Sequence, residues 1–165
     1  MDPYRYLPFL TRRVMQGWAE REHPSGPPSW TPLRAPLADC RVALLSTAAI
    51  SLRSDRPFDQ EGERADPWWG DPSWRILPHD VTGSDVRFSH LHVDPTPAAE
   101  DLDVVLPARR LHELADAGVI GSVGPRHIST MGYILDATEL VETTAPEIAT
   151  ALTDDEVDLL LLVPV

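Results

Sequence analysis

The sequence predicts an α/β fold: a partly parallel sheet with flanking helices in a Rossmann-like arrangement. Two observations carry most of that expectation. The runs Arg41-Val42-Ala43-Leu44-Leu45-Ser46-Thr47 and Val157-Asp158-Leu159-Leu160-Leu161-Leu162-Val163-Pro164-Val165 are nearly unbroken apolar segments of strand length. Such runs suit strands covered on both faces. Segments with helical spacing lie between them, and alternation of strand, helix and strand is the pattern of a parallel sheet with helical crossovers. A third observation concerns the last run. Ligand sites in parallel sheets form just beyond the carboxyl ends of the strands, and a strand covered on both faces seldom makes a terminus. The expectation is a central, buried terminal strand paired in parallel with the strand at 41–47, and a chain that is the front part of an incomplete larger fold.

Composition narrows the class. A chain of 165 residues, 42% of them hydrophobic, accommodates one cored domain, or a domain with an arm. The formal charge of −12, from 14 basic and 26 acidic residues, disfavours nucleic acid and anionic membranes as partners. No apolar stretch reaches the roughly 18 residues of a membrane span. The N-terminus lacks a secretory pattern, so a cytoplasmic location is expected. Every basic residue is Arg. Without Lys the chain can form neither a lysine Schiff base nor a P-loop. The single Cys40 excludes an internal disulfide and a multi-thiolate zinc site.

The elements follow in order. Residues 4–22 read as an amphipathic helix, with Leu7, Leu10, Val14 and Trp18 at helical spacing. It either packs on the domain or forms a partner-binding arm. The stretch His23-Pro24-Ser25-Gly26-Pro27-Pro28 stops it, and a Pro-rich connector closes a first segment, 1–37. The domain proper is 38–165. Its first strand, 41–47, ends in small residues where α/β proteins place a binding loop, though the glycines of a dinucleotide fingerprint are missing. Residues 53–85 form a long irregular stretch whose tryptophans argue against disorder. Residues 86–90 alternate like a short strand. Residues 107–117 read as a helix with Leu111 and Leu114 as its apolar face and Gly118 as its cap. Residues 119–123 read as strand or turn, and about 138–152 as a second helix. Asp154-Asp155 turn into the terminal strand.

Two clusters could carry chemistry. In Ser89-His90-Leu91-His92-Val93-Asp94, an extended backbone puts His90, His92 and Asp94 on one face. They could bind a metal, position or protonate a substrate, or serve the fold. The likeness to an HxHxDH zinc-hydrolase motif stops at Pro95, so no metal is assigned. The second cluster is 124–132. In it Arg126 offers a fork suited to a carboxylate, and His127 a proton switch near neutral pH. Alternatively, Arg126 pairs with one of the many acidic residues on an ordinary loop. Cys40 precedes a strand and reads as a small apolar residue.

Taken in order, several stretches resemble the selenoprotein B family of the glycine, sarcosine and betaine reductases and of D-proline reductase. They are 41–47, Arg56-Pro57-Phe58-Asp59, Gly70-Asp71-Pro72-Ser73-Trp74-Arg75, His90-Leu91-His92-Val93-Asp94, 111–121, Pro125-Arg126-His127 through Met131-Gly132-Tyr133, Thr144-Ala145-Pro146-Glu147-Ile148-Ala149, and 157–165. The resemblance implies a subunit of an amino-acid reductase that opens a C–N bond with a selenol or thiol. In that family a selenocysteine, or sometimes a cysteine, follows the position matching Val165, so this chain would stop just short of its nucleophile. A pyruvoyl group is implied on a partner subunit that holds a small amino-acid substrate, with assembly into a homo-oligomer left open. By the same resemblance Arg126 would take the substrate carboxylate, and His90, His92 or His127 would move a proton. Ser46, Thr47 and Asp94 would line the crevice. Two other readings stay open: a binding or scaffolding module that kept the fold, and a metal-dependent hydrolase built on His90, His92 and Asp94.

Overall fold

The computed structural model describes residues 8–21, 31–66 and 69–165. The chain divides into two compact units, Met1–Pro32 and Leu33–Val165. The first contains helix α1 (Phe9–Arg21). Residues 4–7 and 22 of the expected helix lie outside the described residues, as do the Pro-rich stop at 23–28 and Trp68.

The second unit runs β1 (Arg41–Ser46), β2 (Ile50–Leu52), α2 (Gln60–Ala65), β3 (Arg75–Pro78), β4 (Val86–Phe88), α3 (Thr96–Glu100), α4 (Ala108–Asp116), β5 (Ser122–Val123), β6 (Arg126–Ser129), α5 (Ala145–Asp154) and β7 (Leu159–Val163). The α/β class is as expected. β1 is the spine of a mostly parallel sheet. One edge pairs along its length with β7, from Val42↔Leu159 to Ser46↔Val163. Its other edge pairs first with β5 and then with β6, both parallel, and β3 closes the sheet antiparallel to β6. β2 and β4 form a separate antiparallel pair.

β1 is covered on both faces, which is why its sequence does not alternate. Val42 and Leu44 enter one core with Leu77, Leu106, Leu111 of α4 and Ile120. Ala43 enters the other with Ile128 and with Ile148 and Leu152 of α5. Burial of each such side chain contributes about 1.5–3 kcal/mol. α4 ends as expected at Gly118, whose φ of 70° suits glycine alone at low cost. Val119 N–H reaches back to Leu114 O at 2.9 Å and Gly118 N–H to Ala115 O at 2.9 Å, the bond pair of a Schellman stop. Pro146, in the first turn of α5, brings no N–H, and one π-helical turn, Leu140–Thr144, precedes it.

Several expectations need correction. Residues 53–85 are not wholly irregular, since they carry α2 and β3, and the chain turns at 91–93 instead of running extended from His90 to Asp94. The terminal strand pairs in parallel with β1, but it is not central: among the described strands its only partner is β1, and Leu161 and Leu162 are 47% and 62% exposed. An apolar run reports tolerance for burial, not the burial itself. The 124–132 segment is not simply a loop, because it contains β6. Leu114 belongs to the exposed side of α4, and Ala108 takes the buried place beside Leu111.

Candidate functional site

β1 delivers Ser46 and Thr47 to the carboxyl end of the sheet. Ser46 is fully buried, and its hydroxyl accepts from Ala48 N–H at 3.3 Å. Its carbonyl accepts from Thr130 N–H at 3.0 Å. Ala49 follows in the left-handed region at φ 51°, turning the chain into β2 while its N–H donates to Thr130 O at 3.0 Å. Thr47 holds the end of the terminal strand. Its Oγ1 accepts from Val165 N–H at 2.8 Å and donates to Val165 O at 3.4 Å. Gly132 is packed into the same corner. A Cβ there would stand 3.0 Å from Thr47 O, Thr47 Oγ1 and Val165 O.

The next residue brings in the histidines. The Tyr133 ring packs on His92 with centroids 4.1 Å apart. His90 meets His92 edge-on at 6.0 Å, and its Nδ1 accepts from His92 N–H at 3.2 Å. Burial pushes the His90 imidazole below its ordinary value; Glu63 opposes that shift and His92 adds to it. His90 and Asp94 also line a small cavity of about 120 Å³ with Ala48 and Gln60. Asp94 accepts from Thr96 N–H at 2.9 Å, which holds its carboxyl below the usual range. Among the described residues no group of three His, Cys, Asp or Glu is placed to hold a metal ion.

A network built from two of the resembling stretches supports this corner. Asp71 is buried. It accepts from Asp59 N–H at 2.8 Å and Ser73 N–H at 2.9 Å, and from the Ser73 hydroxyl. Burial pushes its carboxyl up, but these hydrogen bonds and nearby Arg75 outweigh that and leave it below the ordinary value. Asp59 in turn caps α2, accepting from Glu61 N–H at 3.1 Å and Gly62 N–H at 3.0 Å. Arg75 donates to Arg56 O at 2.8 Å and Pro57 O at 3.2 Å and lies over the Phe58 ring at 4.3 Å. α2 is thereby fixed, and with it Glu63, whose Oε1 stands 2.8 Å from His92 Nε2. Gly70 sits so close to Tyr133 that a Cβ would fall 1.8 Å from the Tyr133 carbonyl oxygen.

Arg126 and His127 do not join the group. Arg126 opens β6 opposite Pro78, at the amino end of the strands, and both arms of its fork engage Asp155, Nη2 to Oδ1 at 2.7 Å. That pairing raises Arg126 and lowers Asp155 from their ordinary values. Arg41 joins them there, donating to Asp155 O at 2.7 Å and Glu156 Oε2 at 3.0 Å. His127 fills a gap in the ladder. The register slips by two residues between β5 and β6, since Arg41 faces Ser122 whereas Leu45 faces Ile128. In that gap Leu44 N–H donates to His127 Nδ1 at 3.2 Å. The ring is fully buried, and burial, with lesser contributions from His112 and His79, lowers its pKa from 6.5 to about 4. The expected gathering of all three histidines and Arg126 near Val165 is therefore corrected: His90, His92, Ser46, Thr47 and Asp94 share the carboxyl end of the sheet, while Arg126 and His127 serve its frame. Sequence reasoning missed Glu63 and Tyr133. Tyr133 closes the resembling stretch Met131-Gly132-Tyr133, but nothing local to Glu63 distinguishes it from Glu61, the other acidic residue of α2.

An α/β domain with polar groups collected beyond the carboxyl end of its spine strand defines the class. The particular family follows from its sequence profile. That of the glycine/sarcosine/betaine reductase selenoprotein B family matches residues 32–164, and the chain belongs to that family. It is 33% identical over 136 residues to the D-proline reductase subunit gamma of Acetoanaerobium sticklandii, an alignment covering 82% of this chain and 53% of that one. The chain thus spans about half the length of that relative. No solved structure matches.

Proposed function

We propose that this chain is part of the nucleophile-bearing subunit of an amino-acid reductase that cleaves a C–N bond, with D-proline or a glycine derivative as substrate. Family membership supports the reaction class, and one observation carries the placement: Thr47 clamps Val165 against Gly132, and the next residue, Tyr133, packs its ring on His92. In this reading a selenolate or thiolate attacks the substrate carbon, the C–N bond breaks, and the departing amine takes a proton. A soft nucleophile of low pKa suits the attack, and a positioned acid suits the departure. His92 supplies the proton, with His90 beside it, and Ser46, Thr47 and Asp94 shape the crevice. A pyruvoyl group on a partner subunit would make the substrate amine a better leaving group.

The nucleophile comes from outside these 165 residues. Cys40 is fully buried, its Sγ contacts Pro36 O at 3.4 Å, and burial with the charges of Asp158 and Asp39 pushes its thiol up. Mixing the chain with the pyruvoyl-bearing subunit and dithiol should therefore give no turnover of D-proline. Adding a polypeptide equivalent to the half of the gamma subunit that this chain does not span should restore it. Turnover without that addition contradicts the placement of the nucleophile; no turnover with it contradicts the reductase reading.

A further inference from the structure

Glu63 is an acidic side chain that the fold has removed from water. Its side chain is only 2% exposed, and neither carboxylate oxygen has an aligned hydrogen bond. A lone buried carboxylate is costly unless a cation or donor compensates it. Its ion-pair partner is His92, with Nε2 2.8 Å from Oε1, off the line of the ring N–H. The rest of the His92 ring is constrained as well. Tyr133 covers it, His90 meets it edge-on, and its own backbone N–H is tied to His90 Nδ1. The His92 side chain is nevertheless half exposed, so part of the ring stays open to solvent.

We propose that Glu63 is a positioning residue: its buried carboxylate keeps a proton on His92 Nε2 and orients the ring so that Nδ1 exchanges a proton with the substrate's nitrogen. A carboxylate behind an imidazole sets which ring nitrogen is protonated and fixes the ring's direction. The network of Asp59, Asp71 and Arg75 has a purpose in these terms, because it immobilises the short helix that carries Glu63. This inference rests on the reductase reading for the identity of the group that receives the proton. The Glu63–His92 pairing itself does not.

The test has two arms. Proton NMR of the full chain should show a strong Overhauser signal between the His92 and Tyr133 rings, which reports the orientation of the His92 ring. Glu63→Leu should abolish it and Glu63→Gln should weaken it. Leu removes a buried carboxylate whose oxygens lack aligned hydrogen bonds, so the fold should survive with an equal or higher Tm. Absence of the signal in the parent chain, or its persistence in Glu63→Leu, overturns the proposal. In the complete reductase, Glu63→Leu should lower kcat roughly 10–100-fold with KM unchanged. An unchanged kcat overturns the positioning role. If the parent complex itself fails to act on any amino acid, the reductase reading falls, while the NMR arm still decides the pairing.

Discussion

His127 replaces a main-chain acceptor with a side-chain nitrogen, and that substitution has a thermodynamic signature. The folded chain binds its proton near pH 4, whereas the ordinary value is 6.5. Between those limits the unfolded chain holds the proton and the folded chain does not. Stability is therefore complete above pH 6.5, falls as pH drops through the window, and levels off below about 4, a change of about 3 kcal/mol at most. His90, also lowered, acts in the same direction. The lowered aspartates, Asp71 and Asp155 among them, act mainly below 3.8, and Glu113, lowered from 4.5, overlaps only the bottom of the histidine window. Urea midpoints measured from pH 7 to pH 4 should show the decline, and His127→Gln should flatten much of it. At the same scale, Asp71→Ala removes three hydrogen-bond acceptances from a buried carboxylate and should cost about 2–4 kcal/mol. A loss under about 0.5 kcal/mol, the size of an ordinary surface change, would mean that the network does not hold α2.

Among the elements, the glycines separate close packing from free space. Gly70→Ala must push the Tyr133 carbonyl aside, and that oxygen is backbone rather than a flexible side chain. It should destabilise by about 1–3 kcal/mol, whereas Gly83→Ala, with nothing within 4 Å, should stay within about 0.5 kcal/mol of the parent. Equal effects in thermal melts would contradict the packing described around Tyr133. The elements also show what could be read in advance. β1 and the pairing of β7 with it were legible because consecutive apolar residues leave few alternatives to a strand. Gly118 was legible because a left-handed residue after a helix calls for glycine. β6 was not, because Arg126, His127 and Ser129 are polar and their burial depends on Asp155 and on a gap in a neighbouring ladder. β2 and β3 are too short to show a period. α2 hides in a Pro- and Asp-rich stretch, since its position is set by a cap and by Asp71, not by an apolar stripe. The exposure of Leu161 and Leu162 follows from strand order, which no local pattern encodes.

Over the whole molecule, the sheet has two polar ends with different work. The amino end is closed upon itself: Arg41, Arg126, Asp155 and Glu156 satisfy one another. At the carboxyl end Thr47 holds Val165, and His92 keeps half its surface in solvent with a buried carboxylate behind it. Of the seven candidate residues, five lie toward the carboxyl end of this sheet, whereas Arg126 and His127 lie lower in its frame. Distance along a chain says little about which end of a strand a side chain reaches when the strand itself goes unrecognised. The contrast between the ends is what the reductase reading depends on. Steady-state cleavage of D-proline, measured in the complete reductase with the parent chain, His92→Gln and Arg126→Gln, tests it most directly. His92→Gln should lower kcat by roughly a hundredfold or more, and Arg126→Gln should lower Tm while leaving kcat within about twofold of the parent, because its partner Asp155 belongs to the frame. Loss of turnover in Arg126→Gln at temperatures where it remains folded, with His92→Gln still active, would place the working site at the opposite end of the sheet.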